Sequence, residues 1–295
     1  MILALTGGTG FVGGQVMTQA LAAGHAVRAL TRRPQPVRDG VTWVPGDLAA
    51  PGDLARAADA VVHVAGVVNA PDRAGFVAGN VEGTRAILTA AREAGVSRFV
   101  HVSSLAAREP QLSAYGWSKA QAEREVQESA LDWTIVRPPA VYGPGDLEQL
   151  DLWRLAARGI ALLPPAGRMS AILVDDLAAL LLRLAESEGP RTIYEADDGA
   201  ALTHREYAEA IGRALDRRGF ALPLPAFLLR LGGRLDRLAR GSRAKLTPDR
   251  AAYLAHPDWS VDPARRPPPD LWTPRTSLAA GMARTAAWYR EQGLL

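Results

Sequence analysis

The 295-residue sequence contains no cysteine, which excludes a disulfide framework, a thiolate metal site and a cysteine nucleophile. No metal site is expected. Lysine is nearly as scarce: of 34 basic residues only Lys119 and Lys245 are lysines. Charge of one sign does not accumulate, and a formal net charge of +3 is too small to point to nucleic acid. No uncharged run reaches transmembrane length, and no internal repeat is visible. The first apolar strand opens at residue 2, so no signal peptide is expected ahead of it, and the expected location is cytoplasmic. What is present, 48% hydrophobic and 22% charged residues, is the composition of a soluble globular protein. The length suffices for one large or two modest domains with a sizeable core.

Strand and helix patterns alternate along the chain. Apolar runs at 2–5, 26–31, 41–44, 60–64, 97–103, 133–137 and 192–196 predict strands, and residues 77–94 and 113–130 predict helices between them. Such alternation specifies a parallel sheet with helices on both faces and right-handed crossovers. The predicted fold class is therefore α/β, a Rossmann-type doubly wound parallel sheet with a smaller C-terminal substrate-binding part. From about residue 140 the pattern loosens as Pro138, Pro139, Pro144, Pro164 and Pro165 accumulate. Residues 1–165 are assigned to the nucleotide-binding domain, with 170–200 returning to the sheet, and 201–295 to a mainly helical substrate-binding part. Residues 263–274 are proline-rich and predict an extended surface connection.

The glycines of Thr6-Gly7-Gly8-Thr9-Gly10-Phe11-Val12-Gly13 fall where the first strand becomes a helix. There a missing Cβ permits a tight turn and close approach of backbone to a pyrophosphate, whose charge a helix N-terminus favours. After the first strand of an alternating chain the motif points to a dinucleotide. The end of the second strand reads Leu30-Thr31-Arg32-Arg33, with no acid before Asp39. An Asp or Glu there accepts from a ribose 2′-hydroxyl, whereas guanidinium groups hold a 2′-phosphate. The pattern favours NADP(H) over NAD(H), the alternative being a solvated basic turn.

Tyr115 and Lys119 stand four residues apart, on one face of a predicted helix. A nearby ammonium and an oxidised nicotinamide stabilise a phenolate, which is expected to lower the phenol's pKa toward the working range. A chain that uses arginine almost everywhere keeps lysine here, where a compact charge can reach a ribose hydroxyl. Ser103 and Ser104 end a strand upstream, at the sheet edge where such folds bind ligands. The competing reading is an ordinary surface pair.

With these residues the chain resembles the extended branch of the short-chain dehydrogenases/reductases over almost its whole length. Thr6–Gly13 is similar to the branch's TGxxGFVG loop and Gly46-Asp47-Leu48 to its adenine-contacting segment. His63-Val64-Ala65-Gly66, Asn80-Val81-Glu82-Gly83-Thr84, Tyr115–Lys119 as YxxxK, Arg137–Pro144 and Val174-Asp175-Asp176 match further blocks. The resemblance implies hydride transfer at a nicotinamide. It implies Tyr115 as acid/base, Lys119 on the nicotinamide ribose and Ser104 holding the reacting oxygen, with Ser103 contributing through its backbone. It further implies cofactor contacts by Thr6, Gly7, Gly10, Phe11, Val12, Gly13, Arg32, Arg33, Asp47, Leu48, Ala65, Gly66, Asn80, Lys119 and Pro138.

Substrate class rests on departures. Sugar-nucleotide epimerases and dehydratases of the branch carry an Asn where this chain has Ala140, and a diphosphate left without that donor loses a hydrogen bond. Arg168 or the C-terminal arginines could substitute. The last third resembles the hydroxysteroid-dehydrogenase and dihydroflavonol-reductase side, which acts on apolar alcohols and ketones. Between Arg217 and Arg250 stand nine cations and two anions, with Leu228, Leu231, Leu235 and Leu238 at helical spacing opposite much of the charge. That pattern fits either a basic amphipathic helix at an anionic membrane surface or a packed helix with a solvated arginine face.

The expected partner is a small, apolar substrate, with peripheral membrane contact through 220–250 if the first reading holds; the chain is expected to be a monomer or homodimer. The favoured activity is NADP(H)-dependent reduction of a ketone, or its reverse, on an apolar substrate such as an oxo-ceramide-like 3-oxo lipid. The alternatives are a sugar-nucleotide epimerase or dehydratase, and a non-catalytic NADPH-binding assembly protein.

Overall fold

A computed structural model of the chain describes residues 1–217, 220–241 and 246–295. The chain forms two compact units: residues 1–138, 175–195 and 267–273, and residues 139–174, 196–266 and 274–295.

The first unit runs β1 (Ile2–Thr6), α1 (Phe11–Ala22), β2 (Ala26–Thr31), β3 (Val41–Pro45), β4 (Ala60–His63), α2 (Arg73–Phe76), α3 (Gly83–Glu93), β5 (Arg98–Val102), α4 (Ala114–Gln127) and β6 (Asp132–Arg137). After the excursion into the second unit, α6 (Val174–Glu186) and β11 (Thr192–Glu195) complete it. Seven strands pair in the order β11-β6-β5-β4-β1-β2-β3, every pair parallel. The order reverses between β1 and β4, which makes the carboxyl ends of those strands the ligand-binding edge. Leu3, Leu5, Val27, Val61, Val62, Phe99, Val100 and Ile135 are fully buried in this sheet. A sheet covered on both faces needs such continuous apolar runs. Each of these side chains contributes about 1.5–3 kcal/mol.

The helix expected over 77–94 starts earlier and is interrupted. Arg73–Phe76 is α-helical, Val77–Glu82 widens into a π turn, and α3 follows at Gly83. A π turn adds a residue to the helical circuit and shifts which side chains face inward. Asn80 lies in that turn and is buried.

The second unit begins at Pro139, so residues 139–165, assigned above to the first domain, belong to it. It contains β7 (Ala140–Tyr142), α5 (Leu150–Ala157), β8 (Ile160–Leu163), β9 (Arg168–Met169), β10 (Ala171–Leu173), β12 (Leu202–Thr203) and α7 (His204–Ala214). Then come β13 (Phe220–Pro223), α8 (Ala226–Arg240), α9 (Pro248–Leu254), β14 (Asp258–Trp259) and α10 (Leu278–Glu291). Tyr142, Trp153, Leu173, Tyr207, Ile211, Met282 and Tyr289 form its core. The arginine-rich stretch read above as one helix is a strand and two helices, and Ser242–Lys245 lie outside the described residues. Among the described residues no helix is long and apolar enough to cross a membrane.

Candidate active site

The glycine turn follows β1. Gly7 has φ +75°, and Gly10 N donates to Gly7 O at 2.9 Å. A Cβ on Gly13 would lie 2.1 Å from Gly7 O, and one on Gly7 would lie 2.9 Å from Ala65 N. The turn therefore closes only over glycine. Helix α1 begins after Gly10 with no side-chain cap and no acid in its first turn. By contrast, Ser113 caps α4 by accepting from Gly116 N. The first amides of α1, around Phe11, Val12 and Gly13, are thus left for a ligand, and the helix dipole favours an anion there. A cradle that any side chain would fill, ringed by amide donors, fits a dinucleotide pyrophosphate.

The wall beside this turn is a chain of hydrogen bonds. Ala65 N donates to Thr6 Oγ1 at 3.0 Å, and Thr6 Oγ1 meets His63 Nδ1 at 2.7 Å. His63 Nε2 meets Thr84 Oγ1 at 3.1 Å, and Thr84 donates to Asn80 O at 2.6 Å. Because Thr84 spends its one hydrogen on that carbonyl, His63 carries its proton on Nε2 and accepts from Thr6 on Nδ1. Burial, helped by the Lys119 charge, lowers the His63 pKa to about 3, so the ring stays neutral. His101 stacks on it with centroids 5.3 Å apart. Both ring nitrogens of His101 are buried without a hydrogen-bond partner among the described residues. Asn80 Oδ1 accepts from Val67 N at 2.6 Å, and Asn80 Nδ2 donates to Val67 O and Ser118 Oγ, each at 2.9 Å. A Cβ on Gly66 would lie 3.0 Å from Asn80 Oδ1 and 3.6 Å from Lys119 Nζ. The polar side-chain atoms of Thr6 and Asn80 are therefore used to hold backbone in place.

The three residues singled out for chemistry come together. Ser104 follows β5, caps a 3₁₀ turn by accepting from Ala106 N at 3.2 Å, and hydrogen-bonds the Tyr115 phenol. The turn packs so closely on α4 that a Cβ on Gly116 would lie 2.6 Å from Ala106 O. Phe76 covers Tyr115, with ring centroids 6.2 Å apart. Lys119 is buried and donates to Val102 O at 2.8 Å. Burial lowers its pKa to about 8, against the attraction of Glu123. The expectation that Tyr115 is acidified needs correction for the cofactor-free chain. Desolvation raises its pKa, the Ser104 hydrogen bond opposes this, and the Lys119 ammonium is turned to a carbonyl. The phenol is neutral and holds its proton.

The support of these residues comes from a buried acid that none of the sequence motifs contains. Glu123, one helical turn beyond Lys119 and almost fully buried, accepts from Ser103 Oγ at 2.5 Å. It also accepts from Arg137 Nε at 2.8 Å and Arg137 Nη2 at 2.5 Å. Arg137 further approaches Glu195 at 3.6 Å, and Glu195 receives Arg108 Nη1 at 3.3 Å. Burial opposes the charge on Arg137, but Glu123 and Glu195 together leave its pKa raised. Glu123 thereby ties α4 to the ends of β5 and β6, next to Ser104 and to Pro138, whose carbonyl accepts from Leu105 N at 3.1 Å. Its signal in sequence was a third position in the four-residue spacing that begins with Tyr115 and Lys119.

At the end of β2, Thr31 to Gln35 with Trp43 and Pro45 to Asp47 line an open pocket of about 550 Å³. Arg32 and Arg33 are exposed, and their guanidinium groups make no ion pair among the described residues. Thr31 Oγ1 donates to Arg33 O at 2.6 Å, fixing the turn. Asp47 Oδ1 is occupied by Ala49 N and Ala50 N, each at 2.9 Å. Leu48 packs on the core and against Gly83.

Comparison with known proteins agrees with this geometry. Residues 7–186 match the NAD(P)H-binding family. The chain is 37% identical to a protein named ceramide reductase from Caulobacter vibrioides, across 100% of this chain and 96% of that one. It is 27% identical to UDP-glucose 4-epimerase of Vibrio cholerae, over 78% of this chain and 81% of the other. Among solved structures, MoeE5 in complex with UDP-glucose and NAD superposes with a TM-score of 0.76 at 23% identity, covering 99% of each chain, a likeness of fold. The chain belongs to the NAD(P)H-binding family and is an NAD(P)-dependent enzyme of the extended short-chain dehydrogenase/reductase type.

Proposed function

We propose that this enzyme is an NADPH-dependent reductase of a ketone on an apolar, lipid-type substrate, a 3-oxo lipid of the oxo-ceramide kind. The observation that carries the reading is a neutral phenol hydrogen-bonded to a serine, with a buried ammonium on the same helix: Tyr115 on Ser104, and Lys119 one turn along α4. When bound, the reduced nicotinamide supplies the hydride. Ser104 offers its hydroxyl to the carbonyl oxygen of the substrate. Tyr115, whose pKa is raised by burial, donates its proton to that oxygen as negative charge develops there. Lys119, with a pKa of about 8, stays charged at neutral pH and stabilises the phenolate left behind. Arg32 and Arg33 at the β2 pocket support NADPH as the donor.

The lipid-type substrate is supported by the identity to ceramide reductase along both whole chains, and by Ala140 in place of the Asn that sugar-nucleotide enzymes use. The resemblance to UDP-glucose 4-epimerase gives the second reading its place in the test. The test follows NADPH absorbance at 340 nm against 3-oxo lipids, steroids, flavonoids and UDP-sugars. Turnover is expected with 3-oxo lipids and is expected to vanish in Tyr115→Phe, which keeps its NADPH affinity. Epimerisation of a UDP-sugar without net NADPH consumption, or an active Tyr115→Phe, would overturn the proposal.

A further inference from the structure

Helix α8 is built inside out for a protein surrounded by water. Among its described side chains and glycines only Leu229 and Gly233 are buried, whereas Phe227 is 65% exposed, Leu235 56% and Leu238 83%. Leu228 and Leu231 are also exposed. The leucines 228, 231, 235 and 238 follow spacings of three, four and three, so they form one stripe along the helix, and that stripe is open to solvent. The strand leading into the helix adds to this. Leu222 of β13 is exposed beside its register partner Leu162 of β8. An ordinary surface helix turns such a stripe to the core, and a large open apolar patch marks an interaction site.

Charge identifies what covers it. The segment from Arg217 to Arg250 carries nine cations and two anions, a balance of +7, although the whole chain carries only +3. The rest of the protein is therefore net acidic, at −4, and the positive charge is concentrated on the segment that exposes the leucines. Of the two anions, Asp236 is already paired with Arg240 at 3.1 Å. A second copy of this chain would bring a like-charged +7 segment against it. An anionic bilayer surface instead meets both features at once, taking the apolar stripe into its headgroup boundary and the arginines against its phosphates.

We propose that α8 is a membrane-surface helix that docks the second unit on anionic lipid. The inference does not depend on the substrate proposed above. The experiment is flotation of the full chain with vesicles of phosphatidylcholine and phosphatidylglycerol, and with vesicles of phosphatidylcholine alone. Flotation is expected with the anionic vesicles at low salt, and loss of it at about 1 M salt, where the screening length falls to about 3 Å. Leu231→Asp/Leu235→Asp is expected to reduce partitioning by about tenfold or more. Arg234→Gln, which leaves the apolar stripe whole, is expected to reduce it about fivefold. Both alter exposed side chains, so NADPH fluorescence titration is expected to be unchanged and reports that each variant is folded. Flotation with neither vesicle, or equal flotation of wild type and the two variants, would overturn the proposal. So would a concentration-dependent dimer in sedimentation that the leucine variant dissolves, because the stripe would then belong to a second copy. NADPH consumption with a detergent-dispersed 3-oxo lipid tests the proposed function separately, since it needs no bilayer.

Discussion

Lys119 is an ammonium kept where water would not choose to leave it. Its pKa of about 8, against an ordinary value of 10.5, means that the folded chain holds the proton less tightly than the unfolded chain. Between those two values the unfolded state binds more protons, so this residue's contribution to stability rises with pH across that window and is lowest below pH 8. The cost of holding the charge at neutral pH is roughly 3 kcal/mol. In Lys119→Met the charge is gone but Val102 O loses its donor, a penalty of about 1–2 kcal/mol. The variant is therefore expected to be at least as stable as wild type at pH 7, without cofactor. Urea unfolding from pH 7 to pH 10 should show wild type gaining on the variant; a constant difference would contradict the assignment. At the other end of the proposed nucleotide site, Arg32→Gln/Arg33→Gln would remove the two charge-assisted contacts proposed for a 2′-phosphate. Fluorescence titration is expected to show NADPH affinity falling about 100-fold, at roughly 1.5 kcal/mol per contact, with NADH affinity nearly unchanged.

At the scale of elements, the proposed chemistry needs α4 to lie closely on the turn that carries Ser104. Gly116→Ala would put a methyl group 2.6 Å from Ala106 O. Backbone on both sides cannot yield cheaply, so α4 must retreat and Tyr115, the neighbouring residue, moves with it. A displacement approaching 1 Å costs up to about a hundredfold in rate. Steady-state kinetics are expected to show kcat lowered between about tenfold and a hundredfold, with NADPH affinity within about twofold of wild type. The seven strands of the large sheet were legible to within a residue or two because a doubly covered sheet demands unbroken apolar runs, whereas the two- to four-residue strands of the second unit carry too short a pattern to be read. The placement of Tyr115 and Lys119 on one helix and of Ser104 past a strand end was legible because helical spacing and strand ends are local. The π turn at Val77–Glu82 was not, since a single added residue leaves the surrounding periodicity almost intact. Glu123 was missed because Ser103 and Arg137 stand 20 and 14 residues away, on different strands. For the cofactor-free chain, spacing shows that Lys119 shares a face with Tyr115, but not that the ammonium reaches back to Val102 O.

For the molecule as a whole, two buried neutral histidines lower stability in acid. His63, with a pKa of about 3, and His101, also well below the ordinary value, are both held down chiefly by burial. Below pH 6.5 the unfolded chain takes up protons that the folded chain refuses, so stability falls as pH falls. His63 alone accounts for a loss of roughly 3 kcal/mol between pH 7 and pH 4.5. His101→Leu removes the unpartnered ring nitrogens and one of the two titrations. It is expected to equal or exceed wild-type stability at pH 7, and to lose less on acidification, as read from urea midpoints at both values. The wall that runs from Ala65 N–H through Thr6, His63 and Thr84 to Asn80 O carries a further implication. Each hydroxyl has one hydrogen and each is committed in the same direction, so the relay has no vacancy and no spare proton to lend. Proton transfer along that wall would have to start at a peptide N–H and end at a peptide carbonyl, so the acid–base work proposed for serine, phenol and ammonium has no outlet through it.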